Sequence, residues 1–569
     1  MIIERDKVNQ EIRDLKAKYG DDRSALLPIL QDMQGKYGYL ADIVMQETAH
    51  AFDIHPVEVE GVASFYSFLH TKKKFGKYVI RLCQTISCGM VGKSRVARQF
   101  ENELGIKFGE TTKDGMFSLE YTNCLGLCDL GPAVMINDQL YAQITPDRVP
   151  ILIEECRNDF VEFEFSEVPR AKLYKKGPIL EHGEDHEKVM RDALAMTREE
   201  IIETVQESRL KGRGGAGFPT AFKWKLAANE QADEKFVVCN ADEGEPGTFK
   251  DRYLLQFQTD MILTGMTIAA YAIRAHQGFI YLRGEYDYLR PHIQEKIDAK
   301  KEKNFLGKNI LGTEGFDFDI TIRIGSGAYV CGEETALIES MEGFRGEPRN
   351  RPPYPVDTGF LNRPSIVNNV ETFVVSALIC KKGASWFNQH GTEKSSGTKL
   401  LSVSGDCARP GIYEFPFGST IEEILKEAGG EDAKAVQVGG AAGHGVDRKN
   451  FGRKIGYEDM STGGSIMIFG PDRDMLKVAK NFMEFFVEES CGQCVCCRLG
   501  SQKLLEGIEM LEHGRCSMAY LTELMKLGET MQLASKCGLG QSSPNVFLFI
   551  LENFRNEMLG RLPSGGNNE

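Results

Sequence analysis

Two groups of cysteines carry the clearest chemistry in this chain. Cys83-x4-Cys88 and Cys124-x3-Cys128 form one group; Cys491-x2-Cys494-x2-Cys497, with Cys496 and the downstream Cys537, forms the other. Four thiolates in two close pairs can hold a two-iron cluster, two sulfurs on each iron. Zinc competes for such a set, although its ligand pairs usually have two-residue gaps at both ends. Three thiolates on consecutive turns plus a remote fourth is the spacing of a four-iron cubane. Six isolated cysteines (Cys156, Cys239, Cys331, Cys380, Cys407, Cys516) fit small buried hydrophobes.

A second kind of chemistry is written in glycines and carboxylates. In KGRGGAGFPTAFKWKL (211–226), Gly212, Gly214, Gly215 and Gly217 crowd a turn that also holds Arg213, Ala216 and Phe218, with Lys223 beyond it. Such a loop lets backbone amides approach a phosphate without obstruction by Cβ. It follows a helix rather than a strand, so it is not the Rossmann fingerprint, and no GxxxxGK[ST] loop accompanies it, which argues against ATP hydrolysis. Three further segments add polar groups beside apolar strands. VVCNADEGEPGTFKDR (237–252) offers Asn240, Asp242, Glu243 and Glu245. GSGAYVCGEETALIESMEG (325–343) offers Tyr329, Gly332, Glu333 and Glu334. SIVNNVETF (365–373) offers Asn368, Asn369 and Thr372. Amides and acids flanked by strands and glycines fit a cleft that fixes ribityl hydroxyls and ring edges by hydrogen bonds.

The elements that must position these groups divide the chain into a multidomain α/β protein. Residues 1–165 start as helices (SALLPILQDMQGKYGYL, ADIVMQETAHAF) and continue as an α/β unit, with strands at YVIRLC, FSLEYTNC, AVMIN and QLYAQI and a helix at VGKSRVARQFENEL. Residues 166–190 are polar and read as a connector. Residues 191–397 form a larger α/β domain with buried strands at KFVVCN and GFIYLR. Residues 398–474 are short strands rich in glycine, 475–560 are helices carrying the second cysteine group, and 561–569 read as a disordered tail.

The formal net charge of -14 disfavours nucleic-acid binding, because phosphate contacts need clustered Lys and Arg. The longest apolar run, Met261 to Ile273, is too short to span a bilayer. Met1 to Lys7 is charged and leads into a polar helix, unlike a secretory signal. A cytoplasmic protein with no direct membrane insertion is expected, and clustered cysteines in a reducing compartment point to metal or redox chemistry.

With the helical segment before it, the first cysteine set resembles the thioredoxin-like [2Fe–2S] subunit of respiratory complex I. From about 190 to 555 the chain resembles that complex's FMN- and NADH-binding subunit, followed by a β-grasp-like domain and a helical [4Fe–4S] domain. Their fusion in one chain, with GTFKDR, GFDFDI and GDCARPGIYE, looks like the diaphorase subunit of cytoplasmic NAD-reducing hydrogenases. The resemblance implies that Gly212, Arg213, Gly214, Lys223, Asn240, Asp242, Tyr329, Gly332, Glu333, Asn368, Asn369 and Thr372 surround FMN. Gly215, Ala216, Gly217 and Glu243 are counted with them. Phe218, Glu245, Glu334 and Tyr354 are implied to face NAD(H), with Glu245 and Glu334 as the catalytic-site residues whose carboxylates position FMN, ribose and the nicotinamide amide; no general base is assigned. Leu226 stands where relatives carry another aromatic, and Cys496 stands where the family usually has proline and reads as a spare thiol. The implied partners are an iron–sulfur relay subunit and a catalytic hydrogenase subunit. A formate dehydrogenase, a complex I arm and a ferredoxin-using bifurcating assembly employ similar modules.

Overall fold

The computed structural model describes residues 4–72, 74–158, 168–181, 183 and 185–562; the tail from 563, and residues 166, 167, 182 and 184 of the expected connector, lie outside them. The first cysteine group sits on a four-stranded sheet of β1 (Tyr78–Cys83), β2 (Phe117–Thr122), β3 (Val134–Ile136) and β4 (Gln139–Tyr141), in the order β2-β1-β3-β4. β1 and β2 are parallel and the other pairs antiparallel. Parallel neighbours need a crossover; helix Lys93–Leu104 lies in that connection and packs Val96, Ala97 and Phe100 into the core beneath the sheet.

A short strand, β5 (Leu173–Lys175), comes from the stretch that reads as a connector and pairs with the glycine-rich domain further on. The central sheet is wholly parallel: β6 (Phe236–Ala241), β7 (Gln277–Leu282), β8 (Asp319–Ile324) and β9 (Ser365–Asn369), in the order β8-β7-β6-β9. Side chains alternate across a strand, and both faces of this sheet are covered. Val237, Cys239, Ala241, Ile280 and Leu282 face a core built on helices Thr259–Ile273 and Val370–Lys382. Phe236, Val238, Phe279, Tyr281 and Val367 face the N-terminal helices Arg5–Tyr19, Leu26–Tyr37, Asp42–Phe52 and Pro56–Ala63. The helices continuous in sequence with the sheet of the first cysteine group are thus packed on the central sheet, where their apolar faces find Phe and Tyr. The apolar run at 261–273 is a core helix with Met261, Ile262, Leu263, Met266 and Ile268 buried. Among the described residues no helix is long and apolar enough to cross a membrane.

β10 (Thr398–Gly405), β11 (Gly411–Pro416), β12 (Ala435–Val438), β13 (His444–Asp447) and β14 (Ser465–Phe469) join β5 in a six-stranded mixed sheet, β13-β12-β14-β10-β11-β5. Helix Ile421–Ala428, started by a capping box between Thr420 and Glu423, covers it. Helices Met475–Glu489, Val495–Glu512, Met518–Ala534 and Asn545–Asn553 close the chain around their own core.

Candidate functional site

In an open parallel sheet, ligands bind beyond the carboxyl ends of the strands where the strand order reverses. Here the order reverses between β6 and β9, and there Asn240 and Asn369 are register partners. The glycine loop lies against this point. It is closed at its base by pairing of Lys211 with Pro219 and by the Gly212 N–H on the Phe218 carbonyl at 2.9 Å. Gly217 has φ +70°, and a Cβ there would lie 2.3 Å from the Tyr457 ring; only glycine fits. Gly214, Ala216 and Phe218 are exposed and Gly212, Gly215 and Gly217 partly so, so the loop presents an open face to solvent.

Other sequence-selected residues line the same edge. The Asn240 amide donates to the Gly332 carbonyl at 2.8 Å and its oxygen accepts from the Asp242 N–H at 3.1 Å. Lys223 Nζ bridges Glu334 at 2.8 Å and the Val367 carbonyl at 3.0 Å. Glu333 caps helix Glu334–Met341, and Arg351 approaches both Glu333 and Glu334 at 3.6 Å. Tyr354, three residues on, is exposed. The Tyr329 hydroxyl donates to Glu245 at 2.5 Å, and the Ala442 N–H donates to the same carboxylate at 3.1 Å. Burial pushes the Glu245 pKa up to about 7.

Four expected flavin contacts are buried, with their side chains bonded within the protein. The Arg213 guanidinium is fully buried, donates to the Ser396 carbonyl at 2.9 Å and lies over Phe417. The Thr372 hydroxyl accepts the Arg213 N–H, and the buried Asn368 oxygen accepts the Trp224 indole N–H. Glu243 faces the [2Fe–2S] loop, accepting from the N–H groups of Asp251 and Arg252 and from the Tyr286 hydroxyl at 3.0 Å. These residues brace the site from behind, where a buried polar group needs a partner. Leu226 packs toward the core, whereas Phe222 is exposed beside Phe218, ring centroids 5.9 Å apart. Sequence reasoning missed Phe222, although its exposure follows from the turn geometry that exposes Phe218. It also missed Tyr457, whose hydroxyl donates to the Gly212 carbonyl at 2.8 Å from the far sheet domain.

Cys83 ends β1, Cys88 lies in the short helix Ile86–Met90 that follows, Cys124 and Cys128 lie in the loop after β2, and all four are buried. Cys124 and Cys128 sulfurs are 3.2 Å apart, and the Gly126 N–H points at Cys124 Sγ at 3.4 Å. A hydrogen bond from Cys88 holds the Cys83 pKa down at about 6 and correspondingly raises that of Cys88. Four buried thiols in two close pairs suit a two-iron cluster. Gly126 is pressed against Tyr286, whose hydroxyl would be 2.1 Å from a Cβ there. Arg283, after β7, donates to the Cys124 carbonyl at 2.6 Å and also to the Glu243 carbonyl.

Cys491, Cys494, Cys497 and Cys537 line one small hollow together with Val330, Pro348 and Leu539. Cys496 does not; it donates to the Ala534 carbonyl at 3.2 Å. Its place on helix Val495–Glu512 turns it from the hollow that its neighbours Cys494 and Cys497 share.

Family models match three regions. Residues 12–157 match the thioredoxin-like [2Fe-2S] ferredoxin, residues 205–376 the Nuo51 FMN-binding domain, and residues 477–561 the NADH-ubiquinone oxidoreductase-F iron-sulfur binding region. The NAD-reducing hydrogenase HoxS subunit alpha of Cupriavidus necator is 41% identical over 563 residues, 96% of this chain and 93% of that protein. The chain belongs to this hydrogenase alpha-subunit family. An NADH-quinone oxidoreductase component of Aquifex aeolicus is 40% identical over 64% of the chain and 86% of its own length. A crystal structure of NAD+-reducing [NiFe]-hydrogenase in the H2-reduced state superposes with a TM-score of 0.89 at 34% identity, covering 96% of this chain and 94% of that one. As a hydrogenase alpha-family member the protein is a flavin-dependent oxidoreductase with [2Fe–2S], FMN and [4Fe–4S] centres, and zinc is set aside for the cysteine groups.

Proposed function

We propose that this chain is the diaphorase subunit of a cytoplasmic NAD-reducing hydrogenase, exchanging a hydride with NAD(H) at FMN and single electrons with an iron–sulfur relay subunit. One observation carries the reading. The Tyr329 hydroxyl is on Glu245 and its N–H donates to Glu489 at 2.8 Å, two residues before Cys491, while Val330 lines the hollow of the four thiols. A single short segment therefore touches the cleft and the cubane site.

Bound FMN supplies two-electron acceptance and one-electron release. The loop amides from Gly212 to Phe218 would hold its phosphate. Asn240, Asn369 and Asp242 would fix ribityl and ring edges, and Lys223 with Glu334 would orient the nicotinamide side. Phe218 and Tyr354 offer exposed rings to adenine. Glu245, hydrogen-bonded and raised toward neutrality, positions groups and does not act as a base, since hydride transfer to a flavin removes no proton from another atom. The [2Fe–2S] centre would be held by Cys83, Cys88, Cys124 and Cys128 and the cubane by Cys491, Cys494, Cys497 and Cys537.

The reconstituted chain should reduce ferricyanide or a viologen with NADH, and NADPH should support far lower turnover. A flavin-loaded chain inert toward NADH overturns the diaphorase reading. Co-purification should bring down a relay subunit and a nickel-containing subunit; molybdenum or tungsten in that place overturns the hydrogenase assignment.

A further inference from the structure

Directly behind the glycine loop, where the central sheet meets the second sheet domain, Arg213, Lys250, Asp251, Glu371 and Lys399 are each no more than 3% exposed. Lys250 Nζ lies 2.6 Å from Asp251 and 3.1 Å from Glu371 Oε2. Lys399 Nζ binds the same Glu371 oxygen, and the Leu400 N–H reaches the other at 3.1 Å. On the cleft side the network ends on Asn369, whose oxygen accepts from Lys250 at 3.2 Å and whose amide donates to Asp251 at 2.6 Å. Glu371 itself lies between Asn369 and Thr372 in sequence, and Thr372 accepts the Arg213 N–H.

Glu243 accepts the Asp251 N–H beside them, so three cations face three carboxylates when all are ionised. Burial raises the Glu243 pKa to about 7, so at pH 6 that acid is mostly protonated and one positive charge is in surplus. Burial works against the Lys250 ammonium, yet Asp251, Glu371 and Glu243 keep its pKa above the ordinary value. Burial opposes ionisation of Glu371 too, but Lys399, Lys250 and Arg213 hold its pKa down. Burying so many charges costs several kcal/mol per ion, and apolar replacements are often as stable, so stability alone is a poor reason for the network. Charges in a low-dielectric interior act strongly on neighbouring ones. With FMN bound beside Asn369, a hydride from NADH would bring two electrons with one proton, leaving NAD+ and adding one net negative charge to the flavin.

We propose that Lys250, Lys399 and Glu371 form a fixed electrostatic floor under the cleft that favours the reduced flavin, with Lys399 and Glu371 acting as positioning residues of opposite sign. The inference rests on the FMN reading above. The test is a spectroelectrochemical titration of the flavin band in the FMN-loaded full chain at pH 6, below the value of about 7 to which burial pulls Lys399. At the wild-type midpoint, Lys399→Met should lower the reduced-to-oxidised ratio at least tenfold, about 30 mV for a two-electron couple. Glu371→Gln should raise that ratio at least tenfold. Loss of packing alone would move both variants the same way. Shifts of equal sign, or shifts within threefold in both, overturn the proposal. If Lys399→Met does not fold, Lys399→Arg decides with Glu371→Gln: a near-wild-type ratio in the first and a raised one in the second support the floor, and an unmoved Glu371→Gln overturns it. A wild-type chain that takes up no flavin overturns the functional reading and this inference with it, and is recognised by the missing flavin band.

Discussion

Gly217→Ala tests whether the glycine loop is the seat of FMN. At φ +70° an alanine pays the left-handed penalty of about 1–2 kcal/mol. Its Cβ would also sit 2.3 Å from Tyr457 Cε1, inside any real contact distance, and overpacking of this kind costs about 1–3 kcal/mol. The flavin-free protein can relieve both by letting the exposed loop shift, but a flavin-loaded one must restore the closed shape. The penalty of about 2–5 kcal/mol then appears as lost affinity, at least about thirtyfold in Kd. Titration of flavin-free protein with FMN, followed by quenching of flavin fluorescence, measures it. Removing the ring with Tyr457→Ala should leave only the backbone term, so adding Gly217→Ala to that background should cost about five- to thirtyfold. Affinity within threefold of wild type for Gly217→Ala would refute the seat. A cost that is the same with and without Tyr457 would refute the packing argument.

Three more outcomes follow from the geometry. Cys496→Ser should keep about six irons per chain, whereas Cys494→Ser should fall to about two, by iron and acid-labile sulfide analysis; equal loss in both would place Cys496 among the ligands. Phe222→Ala should raise KM for NADH about two- to tenfold, the worth of one aromatic contact, and leave KM for reduced nicotinamide mononucleotide, which lacks adenine, unchanged. Glu245 has its pKa raised by burial to about 7 from an ordinary 4.5. Between those values the unfolded chain gives up the proton first, so stability falls as pH rises through that window. Glu245→Gln should therefore raise the Tm of the cofactor-free protein little at pH 5 and most near pH 8; a pH-independent difference would contradict the buried-acid argument.

What could be read from the chain was local. Each cysteine pair or triplet, the glycine loop, and the amides at the ends of the buried strands lie within segments of under twenty residues. Their roles follow from reach and backbone freedom. The direction of a side chain was less legible, because its partners come from far away in sequence. Arg213 sits in the glycine loop yet is spent on Ser396 and Phe417, and Glu243 lies among the cleft acids yet binds Tyr286. Nor does composition reveal that Leu173–Lys175 completes a sheet begun at Thr398, since an edge strand of three residues carries too little periodicity.

The contacts between modules point to why the two halves are joined. Apolar faces bring the N-terminal helices to the central sheet, but the cofactor-bearing loops meet through buried polar bonds. Arg283 holds the carbonyls of Cys124 and Glu243, and Glu489 takes both the Tyr329 N–H and the Asn123 amide. Each of these groups would be left unpaired and buried if its module shifted, at about 1–3 kcal/mol per neutral group and more for a charged one. Smooth hydrophobic interfaces tolerate sliding; directional bonds do not. Contacts of this kind fix the loops of both cysteine groups against the cleft beyond β6 and β9, as electron transfer among three centres requires.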